Sequence, residues 1–398
     1  MRTKIEIRFC GPVHIDPLQI FGLPNKRNNT AKWFENQTFY FIHKVRVGIV
    51  RACRLMGITE GSEVLVPSYN CGTEIDPLIK SGAQIVAYRI DDTCRIDFDD
   101  LQKKISSRTK AIYITHYFGF SDEVGKLRSL CDTKGLFLIE DCALSLFSNH
   151  VDRKLGTFGD ISLFSLPKTL PVPDGGIMVI NNDQLKGFKW KMRPSERKYI
   201  LRLLLILIKN RLIADFVKIP IIMQAVAYFY SRHQNKRNCS KNWSSVKYPA
   251  MAGHMFYNRE YMDDRDISAV TRRILWTIDS SEVIKVRREN FLRIQKQLQE
   301  IPGIRLLFTG LPDNVCPLCF PIIVNHRHEV YLHLSARFIE AFEWWSGYHP
   351  AIRWDDFPEA CYLKNHLLLL PIHQKIGERE IAYIVAELKS ALQAVGEL

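Results

Sequence analysis

The sequence predicts an α/β protein with a large, mostly parallel sheet covered by helices, followed by a smaller C-terminal α+β domain. Three observations predict it. Short apolar runs alternate with helical patterns from about residue 60 to 180, and strand–helix–strand alternation favours a parallel sheet with helices on its faces. The chain is 398 residues long, enough for two domains and a large core. After about residue 255 it turns helical, then offers two more apolar strands and a final helix.

The elements follow in order. EVLV (63–66), AQIVAYR (83–89), AIYIT (111–115), LFLI (136–139) and ISLFS (161–165) read as strands bounded by turns. SDEVGKLRSLCDTKG reads as a helix that Ser121 can cap, with Asp122 and Glu123 at the positive end of its dipole. Val124, Leu127, Leu130 and Cys131 fall on one face of it, and Gly135 ends it. RRENFLRIQKQLQEI reads as a basic amphipathic helix, PLCFPIIV and LLLLPI as strands, and EREIAYIVAELKSAL as the last helix. The expected division is an N-terminal segment (1–45), a large α/β domain (46–182), a basic, partly apolar helical insertion (183–254) and a small C-terminal domain (255–398).

Composition narrows the function classes. Apolar residues are 46% and charged residues 24% of the chain, ordinary for a globular protein. The net charge of +13 is local: 183–250 holds 15 Lys and Arg against 3 Asp and Glu, and the rest is nearly balanced. That segment lacks regular aromatic interleaving, so no nucleic-acid partner is expected. Its apolar run 199–230 between basic stretches allows two readings. One is a packed insertion; the other is a peripheral contact with an anionic membrane through 186–247. The ten cysteines are scattered, which reads as reduced thiols and a cytoplasmic location. Cys316 and Cys319 form a lone CxxC without a second ligand pair, so no metal is expected. The N-terminus lacks an apolar run long enough for a secretory signal.

The chemistry should lie beyond the carboxyl ends of the strands. His116 follows AIYIT, Asp141 follows LFLI, and Lys168 follows ISLFS just before PVPDGG. Each residue alone is ordinary in its place; their order and spacing carry the inference. A lysine amine can hold pyridoxal 5′-phosphate as a Schiff base and later move a proton, while a carboxylate keeps the pyridine nitrogen protonated. The phosphate requires N–H groups at a helix start and hydroxyl donors. Gly72 and Thr73, in SYNCGT after EVLV, suit that task, with Ser165 a second hydroxyl.

The run from VLVPSYNCGTEIDPLIKSGA through RTKAIYITHYFGF and LIEDCALSLF to FSLPKTLPVPDGG resembles the DegT/StrS-type sugar aminotransferases. The resemblance is specific over about 60–182, looser over 255–398 and absent over 183–250. It implies the aspartate aminotransferase-like fold and pyridoxal phosphate as cofactor. It also implies Lys168 as the Schiff-base lysine, Asp141 as the pyridinium partner, and Ser165, Gly72 and Thr73 at or beside the phosphate. The family implies homodimers, glutamate as amino donor and keto-sugars as acceptors, here nucleotide- or lipid-linked, in surface polysaccharide or glycolipid synthesis. The sequence departs from the family in three places. Ser165 lies three residues before the lysine rather than five, Leu144 stands where Gln or His often contacts the ring, and no clear Asn-x-Arg segment is present. Two alternatives follow: a non-catalytic sensor or scaffold of the same fold, and a pyridoxamine-dependent sugar dehydratase, which Lys168 argues against.

Overall fold

Five of the large-sheet strands are short apolar runs flanked by turns, and they form where the sequence places them. The computed structural model describes residues 30–121, 123–187, 190, 192–202, 205 and 264–398. Its first strands are β1 (Thr38–Ile42), β2 (Glu63–Pro67), β3 (Gln84–Tyr88), β4 (Thr109–Thr115) and β5 (Phe137–Asp141). A small hairpin of β6 (Asn149–His150) and β7 (Arg153–Lys154) follows, then β8 (Ile161–Ser165) and β9 (Gly176–Ile180). All but the hairpin join one seven-stranded sheet in the order β1-β9-β8-β5-β4-β2-β3.

β3, β2, β4, β5 and β8 run parallel, while β9 returns antiparallel to β8 and β1 runs antiparallel to β9. The chain between β8 and β9 is too short for a parallel crossover, which explains the reversal. Every residue of β2 is buried, as a strand covered on both faces requires. Successive side chains alternate between two cores: Val64 and Val66 pack on one face, Leu65 on the other. β1 belongs to this sheet although its residues fall within the 1–45 segment that the sequence set apart.

The helix Val124–Lys134 differs from expectation at its start. Glu123 occupies the N-cap position without a side-chain bond, and the carbonyl of Ser121 accepts from His150 Nδ1 at 2.7 Å. Asp122 lies outside the described residues. At the other end Gly135 closes the helix at φ 66°, a conformation that favours glycine.

The C-terminal part carries a four-stranded antiparallel sheet of β10 (Arg305–Leu306), β11 (Phe320–Ile323), β12 (Phe342–Glu343) and β13 (Leu367–Leu370), ordered β10-β11-β13-β12. The helix Ser280–Leu298 starts seven residues before the RRENF run, where Asp279 caps the Ser281 N–H. It buries Val283, Arg287, Asn290, Phe291, Ile294 and Leu298, a stripe at helical spacing that includes one arginine. One apolar cluster runs through both sheets, joining Leu65, Ile112 and Leu138 to Ile322 and Leu368. Cys316 and Cys319 are buried thiols, and the Cys316 N–H donates to Ser148 Oγ at 3.0 Å. No helix among the described residues is long and apolar enough to cross a membrane. Most of the basic 183–254 stretch, including most of the 186–247 segment expected to meet a membrane, lies outside the described residues.

Candidate active site

The strand order brings the ends of β5 and β8 together, because these two strands are direct neighbours. Asp141 is the last residue of β5 and Ser165 the last of β8. Both line a cavity of about 280 Å³, and so do Lys168 and Thr73. Asp141 is 8% exposed. Its Oδ2 accepts from the Tyr113 hydroxyl at 2.8 Å and its Oδ1 from the Ala143 N–H at 2.9 Å. Burial, then the Asp141 charge, pushes the Tyr113 hydroxyl well above the usual tyrosine range, so it stays a donor to the carboxylate.

Lys168 sits in a four-residue helix, Leu166–Thr169, entered from β8. The turn is pinned at its start, where the Leu166 N–H donates to Gly175 O at 3.1 Å. Gly175 has φ 108°, and a Cβ there would meet Ile267 Cγ2 at 2.8 Å. Lys168 Nζ lies 5.6 Å from the centre of the Trp344 ring. Ser165 occupies the N-cap position but makes no capping bond through its side chain.

Two expected site residues do not line this cavity. Gly72 turns the chain at φ 82° but does not line the cavity, and the helix after it begins at Ile75. His116 is 1% exposed and its Nε2 lies 2.9 Å from Glu140 Oε1. It borders a separate pocket of about 40 Å³. Glu140 also accepts from the Gly156 and Phe158 N–H groups at 2.9 and 2.8 Å and from Ser162 Oγ at 3.1 Å. Burial opposes its ionisation, yet the His116 contact and the Gly159 and Gly156 N–H groups hold its pKa below the usual glutamate value. His116, Glu140 and Cys142 bring potential metal ligands within 4.8 Å of one another. The carboxylate is already committed to its N–H and hydroxyl donors, which makes this cluster a structural hub. Leu144 is 1% exposed in the apolar core and lines no part of the cavity.

The cavity has walls that the motif reading missed. His43, Lys44, Val45 and Arg46 line it, at the start of the 11-residue helix Val45–Leu55. The N-cap residue, Lys44, makes no capping bond through its own side chain, and no acidic residue occupies the first turn. Cations at a helix N-terminus oppose the dipole unless an anion joins them, and this was the available signal. His43 Nδ1 lies 3.4 Å from Asp174 Oδ2, and Asp174 accepts from Ser268 Oγ at 2.9 Å. Glu74 faces the cavity too, with Oε1 accepting the Cys71 N–H at 2.9 Å. Burial, reinforced by the Asp141 charge, raises its pKa to about 7. Trp345 closes the cavity from the C-terminal part. Its carbonyl, like those of Asn70 and Gly347, accepts from the fully buried Lys364 Nζ, at 2.8–2.9 Å.

A mostly parallel sheet, with a carboxylate and a lysine converging beyond its strand ends, is the layout of an aminotransferase-type fold. Residues 47–194 match the family model of the DegT/DnrJ/EryC1/StrS aminotransferase family. The chain is 30% identical over 363 residues to the dTDP-4-dehydro-2,3,6-trideoxy-D-glucose 4-aminotransferase of Saccharopolyspora spinosa, covering 89% of this chain and 84% of that protein. The chain belongs to this family. It is also 36% identical over 140 residues to the GDP-perosamine synthase of Vibrio cholerae, a stretch that spans 34% of this chain and only 38% of that relative. The fold matches Spr1654 of Streptococcus pneumoniae, a candidate sugar aminotransferase solved in PLP and PMP forms. The TM-scores are 0.67 and 0.68 at 15% and 14% identity, over 98% of this chain and 100% and 98% of those chains.

Proposed function

We propose that this protein is a pyridoxal phosphate-dependent aminotransferase. It would move an amino group from an amino acid, glutamate in our reading, to a keto-sugar during surface polysaccharide or glycolipid synthesis. The observation that carries the reading is the meeting of Asp141, Lys168 and the basic start of the helix Val45–Leu55 around one cavity. The residues fit the cofactor. Asp141 would hold the proton on the ring nitrogen, and the Tyr113 hydroxyl would keep the carboxylate aimed. The N–H groups that open the helix Val45–Leu55, with Lys44, Arg46, Ser165 and Thr73, suit the phosphate. When bound, the cofactor supplies an electron sink for the substrate carbanion.

Lys168 is the group that would hold the cofactor covalently. Its Nζ would then take the proton from the donor's α-carbon and return it during amination of the sugar. Trp345 and Tyr199, on the cavity wall, offer aromatic faces that exclude water. The named relatives act on nucleotide-linked sugars by their descriptions, which favours an acceptor of that class here. Protein loaded with pyridoxal phosphate should convert to the PMP form on adding glutamate and release 2-oxoglutarate. An unchanged spectrum with no 2-oxoglutarate would overturn the reading.

A homodimer and a peripheral membrane contact through 186–247 complete the proposal. The second rests on the excess of 15 basic over 3 acidic residues within 183–250. Sedimentation should give twice the chain mass, and vesicles with anionic lipid should retain the protein less as salt rises. A monomer would refute the first part, and a protein left in the supernatant at low salt the second.

A further inference from the structure

We infer that Arg287 is a positioning residue for Lys168, acting through the carbonyl of Thr169. The inference rests on the site proposed above, but its hydrogen-exchange test does not depend on what the lysine binds. A helix of four residues cannot hold itself, because its last carbonyls have no partners within the helix. The Thr169 carbonyl, one residue beyond Lys168, is such a group. Arg287 Nη2 donates to it at 2.9 Å, and Gln374 Nε2 reaches it at 3.4 Å.

The guanidinium is itself fixed on its other edges. Nη1 donates to Leu318 O at 2.7 Å and Pro317 O at 3.3 Å, and Nε donates to Gln374 Oε1 at 3.2 Å. Arg287 is 1% exposed and stands in the apolar stripe of the helix Ser280–Leu298. Three segments distant in sequence therefore converge on one planar cation, and the lysine turn is one of them. A guanidinium can meet these four acceptors together because its five donors are spread over a fixed fork, whereas an ammonium has three donors on one atom. Its positive charge also complements the carboxyl end of the short helix. The C-terminal part thereby sets where the lysine amine points.

The test compares hydrogen exchange in the full chain, without cofactor, for the wild type, R287K, R287M and Q374L. Each variant loses at least one bond to the turn or to its holder. Amides of the 166–170 turn should exchange about tenfold faster in R287M, as loss of a charge-assisted bond implies. R287K should recover part of that protection, and Q374L should lose less than R287M. Peptides spanning β2 and β3 should keep wild-type rates. A second readout is the rate at which borohydride fixes pyridoxal phosphate on Lys168, which should fall in the order of the exchange effects. Equal acceleration in the turn and in β2–β3 would mean general destabilisation and overturn the inference, as would wild-type exchange at the turn in Q374L and R287K. If R287M does not fold, R287K and Q374L decide. A wild type that fixes no cofactor on Lys168 would refute the proposed function while leaving the exchange test intact.

Discussion

Lys168→Ala should leave a folded protein that borohydride no longer links to pyridoxal phosphate, with amine transfer lowered ~10³-fold or more. Lys168 is partly exposed, at the end of a short turn, so its truncation removes little packing. Thermal unfolding should therefore stay near that of the parent. The loss should reside in the chemical step, because one amine both holds the cofactor and moves the proton. Covalent fixation that persists in the variant, mapped by peptide mass, would place the linkage on another lysine. Lys364 is the informative comparison. It is fully buried, donates to three carbonyls, and burial lowers its pKa to about 8.

Asp141→Asn should retain cofactor on Lys168 yet lower the single-turnover rate by about 10²–10³-fold. The amide keeps the shape of the side chain but cannot hold a full negative charge against a protonated ring nitrogen. The amide can replace only one of the two acceptors that the Tyr113 hydroxyl and the Ala143 N–H use in the parent, at 2.8 and 2.9 Å; with its oxygen toward Ala143, the hydroxyl can turn to accept from the NH2 group. Stability should then change little, while Asp141→Ala would leave a buried hydroxyl unpaired and cost an additional ~1–3 kcal/mol. Near-normal single-turnover rates in the Asn variant would remove Asp141 from its proposed role.

The parallel strands were legible because each is a short apolar run ending in a turn, and a strand end is where a ligand can be met. Asp141, Ser165 and Lys168 became visible for that reason, and one cavity does gather them with Thr73. His116 ends a strand just as plainly, but its imidazole turns to Glu140; the strand pattern fixes where a residue lies and not which neighbour its ring meets. β1 went unseen because TFYFI has aromatics at neighbouring positions and pairs antiparallel with a strand about 140 residues later. With it went the helix start bearing Lys44 and Arg46. Glu74 and Trp345 were beyond reach for another reason. A raised carboxyl pKa depends on burial beside Asp141, and the indole arrives from a segment some 200 residues away.

The single apolar cluster shared by the two sheets has a consequence for recombination. A boundary near residue 255 is suggested by a change in sequence texture, but Leu65, Ile112, Ile322 and Leu368 belong to one packed interior. Interiors tolerate little change in volume. A chimera that grafted the C-terminal part of a relative onto this chain would therefore inherit half of an interlocked surface. Exchanges of acceptor specificity between relatives should succeed when the facing side chains travel together and fail when the cut follows the texture of the sequence.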